Sequence, residues 1–294
     1  MKISVVIPNW NGKEKLAQNL AKILKLKGVS EFIVSDDAST DESVDFIKKN
    51  FPNIKVIESK INKGFPSNVN IGVKVSIGDL IFLLNTDTIP NEDCLESVIP
   101  HFKDSKIFSV SCNTGGNWSW AKFEDGFFWH YQVEKSDNLQ THQTLWASGG
   151  SGIFRKRVWD ELGGLDELYN PFYEEDVDIG YRATKRGYIN LWEPRASVEH
   201  YREDGVISEN FSKKTISQIA QRNQLRFIWK NITDKKLIAE HKKALVKMLL
   251  TQPKYWPVFL SALIKLPQVL TKRKIEKLER KLTDEEIFSK FTPS

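Results

Sequence analysis

The sequence predicts an α/β fold with a mostly parallel sheet, and two observations lead to this prediction. Short apolar runs alternate with amphipathic segments over the first 90 residues, which is typical of strand–helix–strand units. The run at 80–84, LIFLL, is apolar at every position, as expected of a strand buried on both faces of a parallel sheet. No G-x-G-x-x-G motif follows the first strand, which argues against a dinucleotide-binding domain.

The elements can be justified in order along the chain. Pro8 is predicted to end the first strand and Pro90 to stop the fourth. Thr40 or Asp41 is a suitable cap for the second helix. The predicted order is strand 3–7, helix 12–26, a strand from 31, helix 40–51, strand 54–59, helix 66–76 and strand 80–87. Further on, we predict a strand, a glycine turn and a helix from about 156, then a helix over 173–187.

Length and composition indicate one large α/β domain with an appendage. The period becomes helical and the charge basic after residue 206, so we place a boundary between a catalytic domain at 1–205 and a helical region at 206–294. The two cysteines give no disulfide framework, and a reducing compartment is the default. We see no signal peptide and no run of about 18 apolar residues, so we expect a cytoplasmic protein.

Carboxylates follow two predicted strands at the point where each strand ends, and that edge of a parallel sheet is where ligands bind. Asp36 and Asp37 follow the second strand, and Asp87 follows the fourth. Such a carboxylate can accept the N3–H of a uracil or thymine ring, or hold a metal ion. The alternative is that Asp36 and Asp37 cap the next helix and that Asp87 is an ordinary turn residue. For each residue considered alone, we favour this alternative.

Acidic residues crowd the start of the predicted helix at 173–187, namely Glu174, Glu175, Asp176 and Asp178. Mutual repulsion should raise at least one pKa there, so that a carboxylate can act as a general base towards a hydroxyl. For Glu174 we favour a solvated position instead. His200 ends another predicted strand and, together with Asp87, becomes a second candidate metal ligand.

The order of these segments resembles that of the inverting family 2 glycosyltransferases, which have the GT-A fold. The similarity is strongest to the rhamnosyltransferase-like branch, which builds bacterial and archaeal surface polysaccharides. The matching segments, over residues 3 to 200, are VVIPNWNG, VSDDASTD, NKGFPSNVNIG, FLLNTDTIP, GGSGIFRKRVWDELGGLDE, FYEEDVDIGYRATKRGY and EPRASVEH. The resemblance implies a GT-A sheet flanked by helices, with a helical C-terminal extension.

The resemblance also implies roles for individual residues. Those bordering the donor nucleotide and sugar would be Pro8, Asn9, Trp10, Asn11, Asp36, Lys63, Gly64, Asn70, Asn85, Thr86, Gly150 and Ser151. Asp37 would receive the pyrimidine N3–H of a UDP- or dTDP-sugar. Asp87 and His200 would hold a divalent ion, Mg²⁺ or Mn²⁺, on the donor's diphosphate. Asp176 would be the catalytic base, with Glu175 as the nearest alternative.

Two positions depart from the family pattern. Asn85 occupies the first position of the D-x-D motif, which removes one negative charge and weakens the expected affinity for the metal. Trp10 replaces the tyrosine that is common in the P-x-Y-N turn, and it still supplies an aromatic wall.

These features predict metal-dependent transfer of a hexosyl or deoxyhexosyl group to a hydroxyl of a glycan or a polyprenyl-linked glycan. A sugar nucleotidyltransferase would open with a glycine-rich basic phosphate loop, which VVIPNWNG lacks. A non-catalytic glycan-binding relative would lose the base or a metal ligand, whereas Asp87, Asp176 and His200 are present. The sugar, the acceptor, the linkage and the oligomeric state, including a homodimer, stay open.

An aromatic segment and a basic tail give two further predictions. In the aromatic segment, 116–132, we expect Trp118 and Trp120 to be exposed and to bind the acceptor. The tail at 252–281 joins an apolar stretch to six cations at 272–281. This pattern fits a helix on the anionic inner face of the cell membrane, or a helix packed on the catalytic domain or a partner subunit. No nucleic-acid recognition motif accompanies it.

Overall fold

A nine-stranded mixed sheet forms the centre of the protein in this computed structural model, which describes residues 1–133, 140–200 and 206–291. The strands, including a separate hairpin of β7 and β8, are β1 (Ile3–Asn9), β2 (Glu31–Asp36), β3 (Lys55–Glu58), β4 (Leu80–Leu84), β5 (Thr88–Pro90), β6 (Ile107–Asn113), β7 (Ser119–Glu124), β8 (Phe127–Gln132), β9 (His142–Thr144), β10 (Ser151–Arg155) and β11 (Ile189–His200). Their order across the sheet is β3-β2-β1-β4-β10-β6-β11-β5, with β9 also paired to β11.

Helices cover the sheet and form the C-terminal region. They are α1 (Lys13–Ile23), α2 (Ser43–Asn50), α3 (Phe65–Lys74), α4 (Cys94–Val98), α5 (Lys156–Leu162), α6 (Glu175–Lys185), α7 (Val206–Asn210), α8 (Lys213–Asn231), α9 (Lys235–Thr251), α10 (Trp256–Leu263), α11 (Leu266–Glu279) and α12 (Asp284–Phe291). Among the described residues, no helix is both long enough and apolar enough to cross a bilayer.

The first half of the sheet is parallel and confirms the predicted α/β class. Strand β1 lies between β2 and β4 and runs parallel to both, and β3 pairs in parallel with β2. Every residue of β1 and β4 is buried, which explains why β4 is apolar throughout and β1 is mostly apolar. Leu16, Leu20 and Ile23 form the buried side of α1.

The prediction that Pro8 ends β1 is wrong. Pro8 and Asn9 continue the pairing of β1 with β2, whereas its pairing with β4 stops at Val6. A proline has no N–H to donate, so it is tolerated where one side of a strand is unpaired. Strand β1 thereby carries Pro8 and Asn9 to the edge of the sheet where the site lies.

The second half of the sheet contains antiparallel pairs that the sequence pattern did not predict. Strand β10 runs antiparallel to both β4 and β6, and the short strands β5 and β9 run antiparallel to β11. The pairing of β5 with β11 places His200 opposite Thr88. This register brings the end of β11 beside the loop that follows β4.

The C-terminal helices share a hydrophobic core with the middle of the chain. Phe227, on α8, stacks on Phe128 of β8 with ring centroids 4.2 Å apart, and both side chains are fully buried. Helices α10 and α11 also pack on α8. The predicted boundary at 205/206 adjoins residues 201–205, which lie outside the described residues, and it stays a prediction.

Candidate active site

A cavity of about 750 Å³ opens at the carboxyl ends of β1, β2 and β4. The structure brings eleven of the sequence-predicted residues to its wall: Pro8, Asn9, Trp10, Asp37, Asn85, Thr86, Asp87, Gly150, Glu175, Asp176 and His200. They come from six separate stretches of the chain, so the fold and not the sequence alone assembles them. This edge is where open α/β sheets bind ligands.

Other predicted residues lie outside the cavity wall, and these are Asn11, Asp36, Lys63, Gly64, Asn70, Ser151, Trp118 and Trp120. The carboxylate of Asp36 accepts hydrogen bonds from Asn9 Nδ2 at 2.7 Å and from the Ser39 hydroxyl at 2.6 Å. Both ends of the Asn70 amide bond to the backbone of Leu165. These two side chains hold loops together behind the cavity.

Asp37 sits at the end of β2 with its carboxylate against the loop before α3. It accepts backbone hydrogen bonds from Lys63 at 2.9 Å and from Gly64 at 2.8 Å. Burial raises the pKa of Asp37, and these two N–H groups oppose that rise. Two carboxylate oxygens offer about four lone-pair sites, so one further donor from a ligand can be accepted.

Gly64 lies between Asp37 and the loop before α6. Its φ is +93°, and a Cβ there would lie 2.6 Å from the Cα of Pro171. The next residue, Phe65, donates its backbone N–H to the Pro171 oxygen at 2.8 Å. A side chain at position 64 would therefore force the two walls of the cavity apart.

Asp87 and His200 form the candidate metal pair. Asp87 Oδ2 lies 3.7 Å from His200 Nε2, and Asp87 Oδ1 is buried without a hydrogen-bond partner. The His200 side chain is 34% exposed, so its ring is open to a ligand. Within 1–133, 140–200 and 206–291, no group of three or more His, Cys, Asp or Glu could hold a metal ion.

Three consecutive carboxylates occupy the start of α6. Glu175 and Asp176 both line the cavity, and Asp176 Oδ2 accepts the backbone N–H of Gly149 at 3.2 Å. Burial, together with the charge of Asp176, raises the pKa of Glu175 well above its ordinary value. Burial also raises the pKa of Asp176, against its backbone hydrogen bonds. This cluster therefore contains a carboxylate suited to accepting a proton.

The third carboxylate, Glu174, differs from the expectation of a solvated residue. Its side chain is only 7% exposed, and its Oε1 lies 3.2 Å from Nε2 of His130. Its backbone has φ of +77°, and the preceding Tyr173 has φ of +69°. These left-handed conformations turn Glu174 inward, so it belongs to the site. No local sequence pattern indicates this turn, and none indicates His130, which lies on β8.

The glycine turn before β10 brings its backbone against Asn85. A Cβ on Gly150 would lie 2.4 Å from Asn85 Nδ2, so a side chain at position 150 would require the Asn85 side chain to move. The backbone N–H of Asn85 donates to the Gly150 oxygen at 3.0 Å. The turn thus fixes the loop that carries Asp87.

Three aromatic side chains line one part of the cavity. Trp10 lies 6.3 Å from Phe211, and Phe211 lies 5.0 Å from Phe172, measured between ring centroids. Of these three residues, only Trp10 is predicted from the sequence. Phe211 comes from the helical C-terminal region, whose contribution to the site only the fold shows.

The expectation that Trp118 and Trp120 are exposed is wrong. Both are half-buried, Trp118 stacked on His142 at 3.8 Å and Trp120 stacked on Tyr131 at 4.8 Å. Their ring faces are already used within the protein, which leaves less surface for a sugar. Their assignment to the acceptor stays a prediction.

Part of the basic tail packs on the rest of the protein. Lys272 pairs with Asp166 at 2.8 Å, and Arg273 donates to the Trp229 oxygen at 2.8 Å. The exposed apolar side chains lie mainly before this cluster, on α9 and α10. The cationic segment thus agrees with the predicted packing on the rest of the protein. The apolar segment before it leaves side chains exposed, as the predicted membrane helix requires.

The fold is that of the GT-A glycosyltransferases, and the comparison of sequences gives the family. The model of Glycosyl transferase family 2 matches residues 4–163, and the chain belongs to this family. The predicted family is thereby confirmed.

Named relatives show how far the likeness extends. The chain is 26% identical over 204 residues to the pre-mycofactocin glycosyltransferase of Mycobacterium tuberculosis, which covers 67% of this chain and 42% of that protein. It is 39% identical over 57 residues to the N-acetylglucosaminyl-diphospho-decaprenol L-rhamnosyltransferase of the same species, 19% of this chain and 18% of that one. The chain therefore spans less than half the length of either relative.

Among solved structures, GalNAc-T7 with UDP, GalNAc and Mn²⁺ superposes with a TM-score of 0.64. The alignment covers 87% of this chain and 57% of that one at 17% identity, which shows a shared fold.

Proposed function

We propose that the protein transfers a hexosyl or deoxyhexosyl group from a UDP- or dTDP-sugar to a hydroxyl, with inversion at the anomeric carbon. One observation carries the proposal. Asp37, Asp87 and Asp176, from three distant parts of the chain, converge on one cavity at the ligand-binding edge of the sheet. Each offers oxygen atoms for a different part of a nucleotide-sugar reaction.

The nucleotide would bind at the end of β1 and β2, between Trp10 and Asp37. Asp37 is anchored by two backbone N–H groups, so it is held in place before a ligand arrives. Uracil and thymine carry an N3–H that a carboxylate can accept, whereas cytosine has none. This difference supports a UDP- or dTDP-sugar as the donor.

Asp87 and His200 fit a divalent cation. Two ligands of one Mg²⁺ or Mn²⁺ ion, each about 2.1 Å from it, lie roughly 3 Å apart, close to the 3.7 Å between Asp87 Oδ2 and His200 Nε2. The unpartnered Oδ1 of Asp87 supplies a further lone pair. Such an ion, when bound, neutralises the charge of the diphosphate leaving group. Mn²⁺ accompanies UDP in the GalNAc-T7 structure, which supports this choice.

Asp176 would take the proton of the acceptor hydroxyl. As that proton moves to Asp176, the hydroxyl oxygen bonds to the anomeric carbon, and the bond from this carbon to the diphosphate oxygen breaks with its electron pair. The products are a glycoside, a nucleoside diphosphate and protonated Asp176. The raised pKa of Asp176, caused by burial, favours its role as acceptor of the proton.

Calorimetry with UDP, dTDP, GDP and CDP, each with and without Mn²⁺, tests the donor site. We expect UDP or dTDP to bind, Mn²⁺ to strengthen binding, and Asp87→Ala to remove the effect of Mn²⁺. Asp160→Ala, which removes an exposed carboxylate on α5, is the matched control and should bind like the wild type. Preference for GDP would overturn the role of Asp37. Absence of binding to all four would favour a non-catalytic relative.

The acceptor is proposed to be a glycan or polyprenyl-linked glycan, with the protein at the inner face of the cell membrane. The decaprenol-linked acceptor in the name of the M. tuberculosis rhamnosyltransferase supports this class. Helix α10 adds a physical argument. Trp256, Leu260 and Ile264 are exposed at helical spacing and form an apolar ridge, while Val258 and Ala262 are buried on the opposite side.

Charge favours an anionic lipid surface as the partner of α10. Residues 241–275 contain seven lysines and one arginine but no aspartate or glutamate. Cations near an anionic bilayer contribute about 1 kcal/mol each, and an apolar ridge inserts beneath the headgroups. Arg273 donates a hydrogen bond within the protein. Lys254 and Lys274, which precede and follow the ridge in the sequence, are exposed.

Sedimentation with vesicles tests this surface. We expect binding to vesicles of phosphatidylcholine with phosphatidylglycerol, weakened by salt, and little binding to phosphatidylcholine alone. The double variant Leu260→Glu, Ile264→Glu should lose binding, whereas Ile77→Glu, at another exposed apolar residue, should retain it. Equal binding by all three proteins would overturn the proposal. A protein that sediments as a dimer and is made monomeric by the double variant would show that a second copy covers the ridge.

A further inference from the structure

His130 is a titratable residue of the cavity with no role in the reaction described above. It lies on β8, in the β7–β8 hairpin, which is remote in sequence from every motif of the site. Its side chain is 40% exposed and its ring packs edge-on against Trp146, with centroids 5.4 Å apart. The position is therefore held by packing on one side and open to the cavity on the other.

The geometry places His130 beside the acidic start of α6. Its Nε2 lies 3.2 Å from Glu174 Oε1, and Glu174 directly precedes Glu175 and Asp176. Glu174 Oε2 and Glu175 Oε2 are both buried without a hydrogen-bond partner. Three adjacent carboxylates with so little hydrogen bonding cannot all be ionised at small cost, unless a positive charge lies near them.

Within the described part of the chain, the charge of Glu174 repels the charged form of Asp176, and Glu175 and Asp176 repel each other in the same way. The Gly149 and Val177 N–H groups hydrogen-bond to Asp176, and the charge of a protonated His130 on β8 favours its ionised form. His130 is thus a cationic side chain that can balance this cluster. By contrast, the buried cations Arg182 and Lys230 pair with Asp166 and Asp178.

We propose that His130, held by Glu174, is a positioning residue that keeps Asp176 ionised and aimed at the acceptor hydroxyl. The inference rests on the proposed function of Asp176 as the base. Burial opposes the charged imidazole, but the hydrogen bond to Glu174 outweighs it and raises the pKa of His130 above its ordinary value. This shift favours the imidazolium over the neutral ring beside the carboxylate cluster.

The backbone supports this assignment independently of charge. Tyr173 and Glu174 both adopt positive φ, a conformation that residues other than glycine rarely adopt. Such strain persists only where the surrounding structure imposes it. Here it directs the Glu174 side chain inward to His130 and away from solvent.

The decisive experiment is a carboxyl NMR titration of Asp176 in the full chain, assigned with Asp176→Asn. In His130→Gln the midpoint of Asp176 should move up by about one pH unit, a tenfold change in its proton affinity. His130→Lys, which restores a positive charge, should return the midpoint towards that of the wild type. His142→Gln, which changes the histidine stacked on Trp118 outside the cavity, should leave it unchanged.

The pH dependence of turnover is the second readout. If the proposal holds, the acidic limb of kcat/KM moves to higher pH in His130→Gln by the same amount as the NMR midpoint. A fall in kcat with both midpoints unchanged would show a merely structural role and overturn the proposal. If the wild type transfers no sugar, the proposed function fails, while the NMR titration still decides whether His130 controls Asp176.

Discussion

Helix α6 carries two kinds of carboxylate one turn apart, and the difference between them separates function from stability. At its start, Glu175 and Asp176 face the cavity with few partners, and burial raises the pKa of both. One turn later Asp178 is fully buried and accepts hydrogen bonds from Arg182 at 2.7 Å and Tyr169 at 2.8 Å. Burial would raise the pKa of Asp178, but the charges of Arg182 and Lys230 outweigh it and lower that pKa.

The comparison teaches that the site is marked by carboxylates whose charge is incompletely compensated, and not by the number of acidic residues. Lys230 comes from α8 and reaches both Asp178 and Asp166 at 2.6 Å. This network connects the C-terminal helix α8 to α6 and to the loop that carries Asp166. The carboxylates left with less compensation are those that face the cavity, where a substrate can alter their protonation.

The largest expected effect on stability comes from Asp178. Asp178→Ala should lower the free energy of unfolding by about 3–5 kcal/mol, because Arg182 and Lys230 would be left buried without their partner. Urea unfolding of the variant and the wild type measures this. A loss below about 1 kcal/mol, the range of an exposed pair, would break the distinction drawn between the two clusters.

Glu175→Gln should act in the opposite direction and by less. The folded-state pKa of Glu175 is raised above its unfolded value by burial, so stability falls as pH rises from about 4.5 through the folded pKa. Gln has no proton to lose, and the variant should therefore gain on the order of 1 kcal/mol at neutral pH relative to the wild type. Thermal unfolding at pH 4.5 and pH 7.5 tests the sign of this effect. The stabilisation of Glu175→Gln relative to the wild type should be larger at pH 7.5.

The smallest effect is expected for an ion pair at the surface. Lys156 and Asp160 of α5 lie 2.7 Å apart, but the Asp160 side chain is 56% exposed. Asp160→Ala should change the free energy of unfolding by no more than about 0.5 kcal/mol, since water screens the pair. If this variant lost as much stability as Asp178→Ala, burial would not be the cause of the difference.

The parallel half of the fold could be predicted because its signals are local. Apolar strands and amphipathic helices alternate up to β4, and the residues at the strand ends follow directly from that pattern. Asp37 and Asp87 could be identified for the same reason. The segment motifs placed Asp176 and His200 on the cavity although each arrives from a different element.

The remaining features depend on contacts between distant segments. The antiparallel insertion of β10 between β4 and β6 has no local signature, since its sequence resembles any short buried strand. Glu174 turns inward because of two positive φ values, and its partner His130 lies 44 positions away. Phe211 and the stacked Trp118 likewise acquire their environments only from the assembled fold.

The central claim is that Asp176 is the base of an otherwise complete donor site. The most direct test measures two quantities in Asp176→Asn and in the wild type. These are UDP release from a UDP-sugar in the presence of an acceptor, and UDP binding. We predict a fall in turnover of about 10²–10⁴-fold with nucleotide affinity unchanged. Near-normal turnover in Asp176→Asn would contradict the claim, and loss of turnover in Glu175→Gln alone would move the base to Glu175.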